Sequence, residues 1–226
     1  MTDIKAVLFD AGNTLIWLDH PYVVELLREH GLETTMEQLM EAEYGAKLLM
    51  DEMARAGGTD ERTRGKVFFA EIFRRVGVAD QHFPAIAQRM FARHAEQNLW
   101  GNVRERTVET LDELRRRGYR LGVISNADGR AEQALDAVGL RPHFELVVDS
   151  GLVGIDKPDP RIFHHALERM GVAPAQAVYV GDIYEIDVQG ARAAGMRAIL
   201  IDPLWKWDDK DCERIRGLHD LLDILP

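Results

Sequence analysis

Cysteine is nearly absent: the chain holds one, Cys212, inside the charged segment KDCERIR. A lone thiol closes no internal disulfide, and no His or Cys beside it offers metal-ligand spacing. Long apolar runs are missing as well. No stretch reaches the roughly 18 residues of a membrane span, and the opening MTDIKAVLFD lacks the basic region followed by an apolar run that marks a secretory leader. A cytoplasmic protein is expected. Positive charge is in deficit, with 28 Lys and Arg against 38 Asp and Glu and a formal net charge of −10. Such a balance repels phosphate backbones and anionic bilayers unless a local basic patch intervenes. The densest basic run, RRRG at Arg115 to Gly118, reads as the end of a helix, where cations suit the negative end of the dipole. No nucleic acid and no membrane partner are therefore expected. Internal repeats and low-complexity tracts are also lacking; oligomeric state leaves no mark in the sequence.

What is present suffices for a substantial core: 226 residues at 46% hydrophobic composition fit one large domain or one domain carrying an insert. Short runs rich in Val, Ile and Leu recur as IKAVLFDA, YRLGVISN, FELVVDS, AVYVGD and RAILIDP, with amphipathic helical patterns between most of them. That alternation predicts βαβ units and an α/β fold with a parallel sheet covered on both faces. From about Trp17 to Asn98 the rhythm changes to helical periodicity without a convincing strand, interrupted by the polar link AGGTDERTRG. The expected organisation is a core of residues 1–15 and 100–226, with an all-helical insert of residues 16–99 after the first strand. A last helix is expected near LHDLLDIL.

Three apolar runs stop on polar residues: Asp10 after AVLF, Ser125 and Asn126 after LGVI, and Asp182 after AVYVG. In an open parallel sheet, ligands bind in the crevice outside the C-terminal strand ends. A fourth element, IDKPDP, puts Lys157 in a loop before a helix whose start is marked by Asp159 and Pro160. Each residue also has a purely structural use. Asp10 would serve a turn, Ser125 or Asn126 would cap the helix in GRAEQALDAVG, Lys157 would be solvated, and Asp187 would cap VQGARAAG.

Taken in order, the four segments FDAGNTL, VISN, KPDPRIF and GDIYEID resemble the motifs of the haloacid dehalogenase superfamily, across almost the whole chain. The resemblance implies a Rossmann-like core, and the position of the insert resembles the family's C1-type helical cap. It implies that Asp10 is a nucleophile accepting a phosphoryl group, a form of covalent catalysis that splits one hard displacement into two. It implies catalytic roles for Ser125 and Lys157, with Thr14, Ser125, Asn126 and Lys157 contacting substrate. It further implies Mg²⁺ held by Asp10, the carbonyl of Gly12 and Asp182, with Asp187 in support; hard oxygen ligands suit that ion. The partner implied is a small phosphorylated metabolite.

One departure stands out. The family's phosphatases carry a second Asp two residues after the nucleophile, as the acid and base for the leaving alcohol and the water; here that position is Gly12. Losing a general acid/base costs about 10² to 10⁴ in rate, so a slow phosphatase survives. Two relatives' chemistries lack this Asp: metal-free dehalogenation, and phosphonate cleavage, which needs a Schiff-base lysine in the insert, where Lys47 and Lys66 lie. A lapsed enzyme that only binds a phosphometabolite or a partner protein is the fourth reading. His20, Tyr44 and Lys47 are candidate substrate contacts in the insert, and Trp205 and Trp207 candidates for a rim or a packing role.

Overall fold

The apolar run that opens the chain becomes β1 (Ala6–Phe9), each residue without solvent exposure, in a computed structural model that describes residues 3–58 and 60–226, the side chains of 61 and 62 apart. After it come β2 (Trp17–Leu18), α1 (His20–Glu29), α2 (Met36–Ala56), α3 (Glu61–Arg75), α4 (Phe83–Gln97) and β3 (Trp100–Asn102). Next are α5 (Thr107–Arg116), β4 (Arg120–Ser125), α6 (Ala131–Ala137), β5 (Leu146–Asp149), α7 (Ser150–Val153) and α8 (Pro160–Met170). The chain ends with β6 (Ala177–Gly181), a π-helical turn at Tyr184–Val188, α9 (Gln189–Ala193), β7 (Arg197–Ile201), β8 (Glu213–Ile215) and α10 (Leu221–Ile224). Among the described residues no helix is long and apolar enough to cross a membrane.

The chain divides into two compact units, one of Met1–Trp17 with Asn102–Pro226 and one of Leu18–Gly101. The first holds a six-stranded parallel sheet in the order β5-β4-β1-β6-β7-β8, the α/β arrangement expected from the alternating pattern and the Rossmann-like core implied by the resemblance. Near-continuous apolar strands suit a sheet covered on both faces. β1 lies between β4 and β6, with Phe9 in register with Val123 on one side and Val180 on the other. The strand order reverses there, which brings the ends of β1, β4 and β6 side by side at a topological switch point. β8 was not legible: its segment, ERI, is charged, and its charged side chains are paired, Glu213 with Arg197 and Arg214 with the buried Asp202. Charge on an edge strand blunts it against pairing with other chains. Cys212 sits just before it, half-buried, and burial pushes its thiol up, away from reactivity.

The second unit is built from α1 to α4. Aromatic packing knits α3 to α4, with Phe73 edge-on to Phe83 at 5.9 Å between centroids. Thr35 and Gln38 close a capping box at the start of α2. The polar link expected at 56–65 is shorter than its composition suggests: α3 already begins at Glu61, its Ncap Asp60 accepting from the amide of Thr63, while Thr59 lies outside the described residues. Lys66 is exposed, as a lysine on a charged helix should be, but Lys47 is buried on α2 between Glu43 and Asp51, one turn away on either side and buried too. His20 is partnered by Glu43 at 2.7 Å, and Tyr44 is half-buried.

Candidate active site

Asp10 follows the last residue of β1, its amide donating to Val180 O at 2.8 Å, so the backbone is still sheet-bonded where the carboxylate emerges. The chain then turns sharply. Ala11 O accepts from the amides of Leu15 and Ile16, and Asn13 takes a left-handed φ of 56°, a conformation Asn tolerates. This turn carries Gly12 and Thr14. The Thr14 hydroxyl and the Asn13 side-chain oxygen are buried without a hydrogen-bond partner in the protein, an uncommon condition that leaves them available to a ligand.

Lys157 reaches the same place from the loop before α8. Its ammonium is 2.6 Å from Asp10 Oδ1, 2.7 Å from Asp187 Oδ1 and 2.9 Å from the Tyr179 hydroxyl, and the residue is 2% exposed. The solvated alternative for this lysine is thereby excluded. Asp187 does not cap α9; it lies inside the π-helical turn, where its Oδ2 accepts from the amides of Asp182 and Ile183, both at 3.0 Å. Gly181 makes room for that carboxylate: a Cβ there would stand 2.3 Å from Asp187 Cγ. Asp10, Asp182 and Asp187, all buried, each offer a carboxylate oxygen within 4.8 Å of the others. An anionic trio of this kind, with the Thr14 hydroxyl unsatisfied in the turn after Asp10, fits a small hard divalent cation.

The electrostatics follow from crowding. Burial pushes the Asp10 carboxyl up, Lys157 opposes, and Asp187 and Asp182 add to the rise, for a value of about 8. Burial works against the charge of Lys157, yet Asp10 and Asp187 hold its ammonium well above the ordinary lysine range. Three carboxylates against one ammonium leave surplus negative charge, which either a proton or a cation relieves.

Ser125 ends β4, buried, opposite Asp149 in the register. Neither Ser125 nor Asn126 caps α6. That job falls to Asp149, whose carboxylate accepts from the amides of Gly129 and Ala131 at 3.0 and 2.9 Å and so ties the loop after β4 to the end of β5. The Asn126 side chain is spent on Lys157: its Oδ1 accepts from the Lys157 amide at 2.8 Å and its Nδ2 donates to the Lys157 carbonyl at 3.1 Å. Asp159 caps α8 through the Arg161 amide, and the Lys157–Pro158 peptide is cis. Sequence reasoning missed Tyr179 and Asp149. A tyrosine amid the aliphatic residues of AVYVG was the available hint of the first; the second ends the run FELVVDS on a carboxylate much as Asp10 does.

Trp207 is buried, its amide bonded to Asp202, whereas Trp205 stays 37% exposed with the guanidinium carbons of Arg214 and Arg216 at 4.3 and 4.8 Å from a ring centroid.

With this geometry in hand, comparison with known proteins places the chain. Residues 4–195 match the haloacid dehalogenase-like hydrolases, and the protein belongs to that family. It is 35% identical to haloacid dehalogenase-like hydrolase domain-containing protein 3 of Bos taurus, over 88% of this chain and 82% of that one. It is 32% identical to a glyceraldehyde 3-phosphate phosphatase of Methanothermobacter thermautotrophicus, over 95% and 93%. The crystal structure of a HAD phosphatase from Thermococcus onnurineus superposes with a TM-score of 0.61 at 28% identity, over 98% of each chain.

Proposed function

We propose that this hydrolase is a Mg²⁺-dependent phosphatase of small phosphorylated metabolites, working through an aspartyl-phosphate on Asp10. The observation that carries the reading is the buried contact of Lys157 with Asp10 at 2.6 Å beside Asp182 and Asp187. A carboxylate approaches an anionic phosphoryl group only where positive charge offsets their repulsion, and phosphoryl transfer depends chiefly on such positioning and electrostatics.

Asp10 Oδ attacks phosphorus as the bond to the leaving oxygen breaks; water then cleaves the acyl phosphate, returning the carboxylate and inorganic phosphate. Lys157 shares charge with the transferring group, Ser125 donates to a phosphoryl oxygen, and Thr14 holds Asp10 or a phosphoryl oxygen through its unpartnered hydroxyl. Asp10, Asp182 and the Gly12 carbonyl are the residues for Mg²⁺, with Asp187 orienting the turn that carries Asp182. When bound, the ion supplies the Lewis-acid charge that one ammonium cannot. A small phosphorylated molecule is also the class to which the substrate named for the archaeal relative belongs.

The competing chemistries fit less well. Metal-free carbon–halogen hydrolysis is favoured by Gly12 but leaves the clustered Asp182 and Asp187 without a purpose. Phosphonate cleavage needs an accessible lysine in the helical unit, whereas Lys47 is buried between two carboxylates' turns and Lys66 lies on a solvated face. A pure binding module has no need of a masked nucleophile.

The test is phosphate release from p-nitrophenyl phosphate and a metabolite panel, with and without Mg²⁺, for the wild type and Asp10→Asn. Mg²⁺-dependent turnover lost in Asp10→Asn supports the reading. Metal-independent halide release from 2-haloacids, or tight phosphate binding with no turnover, sinks it.

A further inference from the structure

We infer that Tyr179 is a positioning residue for Lys157: its hydroxyl anchors the ammonium between Asp10 and Asp187 without adding charge to the site. The inference rests on the phosphatase reading above.

Tyr179 lies mid-strand on β6 with no solvent exposure. Its hydroxyl oxygen is 2.9 Å from Lys157 Nζ, 3.0 Å from the carbonyl of Ile124 and 3.4 Å from Asp187 Oδ1. The direction of these bonds follows from valence and distance. An ammonium only donates, so a lone pair faces Lys157, and the single phenolic proton goes to the carbonyl of Ile124 at 3.0 Å, the nearer of its two acceptors, with Asp187 Oδ1 at 3.4 Å the farther. The ring cannot swing away, because Phe163 packs edge-on against it at 5.0 Å and 83°. One hydroxyl therefore links the residue before Ser125, the catalytic lysine candidate and the turn that carries Asp182.

Chemistry explains why this partner is a phenol. The site already gathers three carboxylates, so a further acidic acceptor would deepen the charge surplus, whereas a hydroxyl accepts from Lys157 and remains neutral. A phenol of ordinary pKa, about 10, is already protonated at neutral pH. A lysine side chain has several rotatable bonds, and a fixed third oxygen narrows the arc over which the ammonium moves. Such restriction matters most in the transition state, where charge on the transferring group is greatest, so its loss falls on kcat rather than on KM. A hydroxyl that merely satisfies the core would instead affect stability alone.

The experiment uses the full chain with saturating Mg²⁺ and p-nitrophenyl phosphate. Tyr179→Phe is expected to lower kcat about tenfold, as loss of a partner that orients a catalytic ligand commonly does, with KM within about twofold of wild type. A fall in melting temperature with unchanged kcat overturns the inference, as does a rise in KM at constant kcat. Wild-type protein that turns over no phosphate ester removes the phosphatase reading and this inference with it, a result distinct from an active wild type equalled by its variant. Should Tyr179→Phe not fold, replacement of Tyr179 alone by 3-fluorotyrosine keeps the ring and weakens the acceptor. A smaller drop in kcat at constant KM then supports the inference, and an unchanged kcat overturns it.

Discussion

Asn126 and Lys157 exchange two hydrogen bonds, 2.8 and 3.1 Å long, between the side-chain amide of one and the backbone of the other. The loop after β4 thereby holds the loop before α8, and a lysine with a long flexible side chain gains a fixed root. Asn126→Ala removes both bonds. At about 1 kcal/mol for each, a stability loss of about 2 kcal/mol is expected in denaturant unfolding, together with a lower kcat. Asn126→Ala with wild-type kcat would mean that the backbone of Lys157 is held by other contacts.

The surplus of carboxylates predicts a pH dependence that Mg²⁺ cancels. The Asp10 carboxyl is raised from 3.8 to about 8, so the folded chain binds this proton more tightly than the unfolded chain does. Its stabilising contribution is complete below the ordinary carboxylate range and is lost as pH rises through about 8. Without metal, the melting temperature of wild type should fall across that window more steeply than that of Asp10→Asn. Mg²⁺ should raise the wild-type melting temperature, and more so at the upper end of the window, where no proton competes for Asp10. Thermal scans across pH with EDTA or Mg²⁺ measure both slopes.

Gly12→Asp would supply the carboxylate missing from FDAGNTL. The expected gain in kcat reaches about 10² to 10⁴ for alkyl phosphates, whose leaving alcohol needs a proton. For p-nitrophenyl phosphate, whose leaving group departs unprotonated, the gain should be much smaller. Equal gains on both substrates would assign the new carboxylate to metal binding instead.

Gly181→Ala tests the close approach of Asp187. The added Cβ would stand 2.3 Å from Asp187 Cγ, so the carboxylate must shift and release the amides of Asp182 and Ile183. Overpacking of this kind costs about 1–3 kcal/mol. The Mg²⁺ concentration needed for half-maximal turnover should rise about tenfold, because Asp182 loses the turn that orients it.

The sequence by itself determined the sheet and the neighbourhood of the site. Five apolar runs interleaved with amphipathic helices predict a parallel sheet by side-chain burial alone, and polar endings on three of those runs mark the crevice. Such signals are local, carried by residues a few positions apart. What tertiary structure decided is which groups meet. Lys157 and Asp10 are separated by 147 residues, and nothing in KPDP says that its ammonium lies among two carboxylates and a phenol. Tyr179 reads as one more core residue of β6 until β4 is laid two strands away and Lys157 arrives from the loop before α8. Asp149 took the capping duty expected of Ser125 or Asn126 for the same reason: a carboxylate or amide bonds to whichever backbone groups packing leaves unsatisfied within about 3 Å. The short strand β8 escaped notice because edge pairing depends on a neighbouring strand rather than on a pattern of its own. Distances between remote segments are a property of the folded chain, and catalytic electrostatics depend on them.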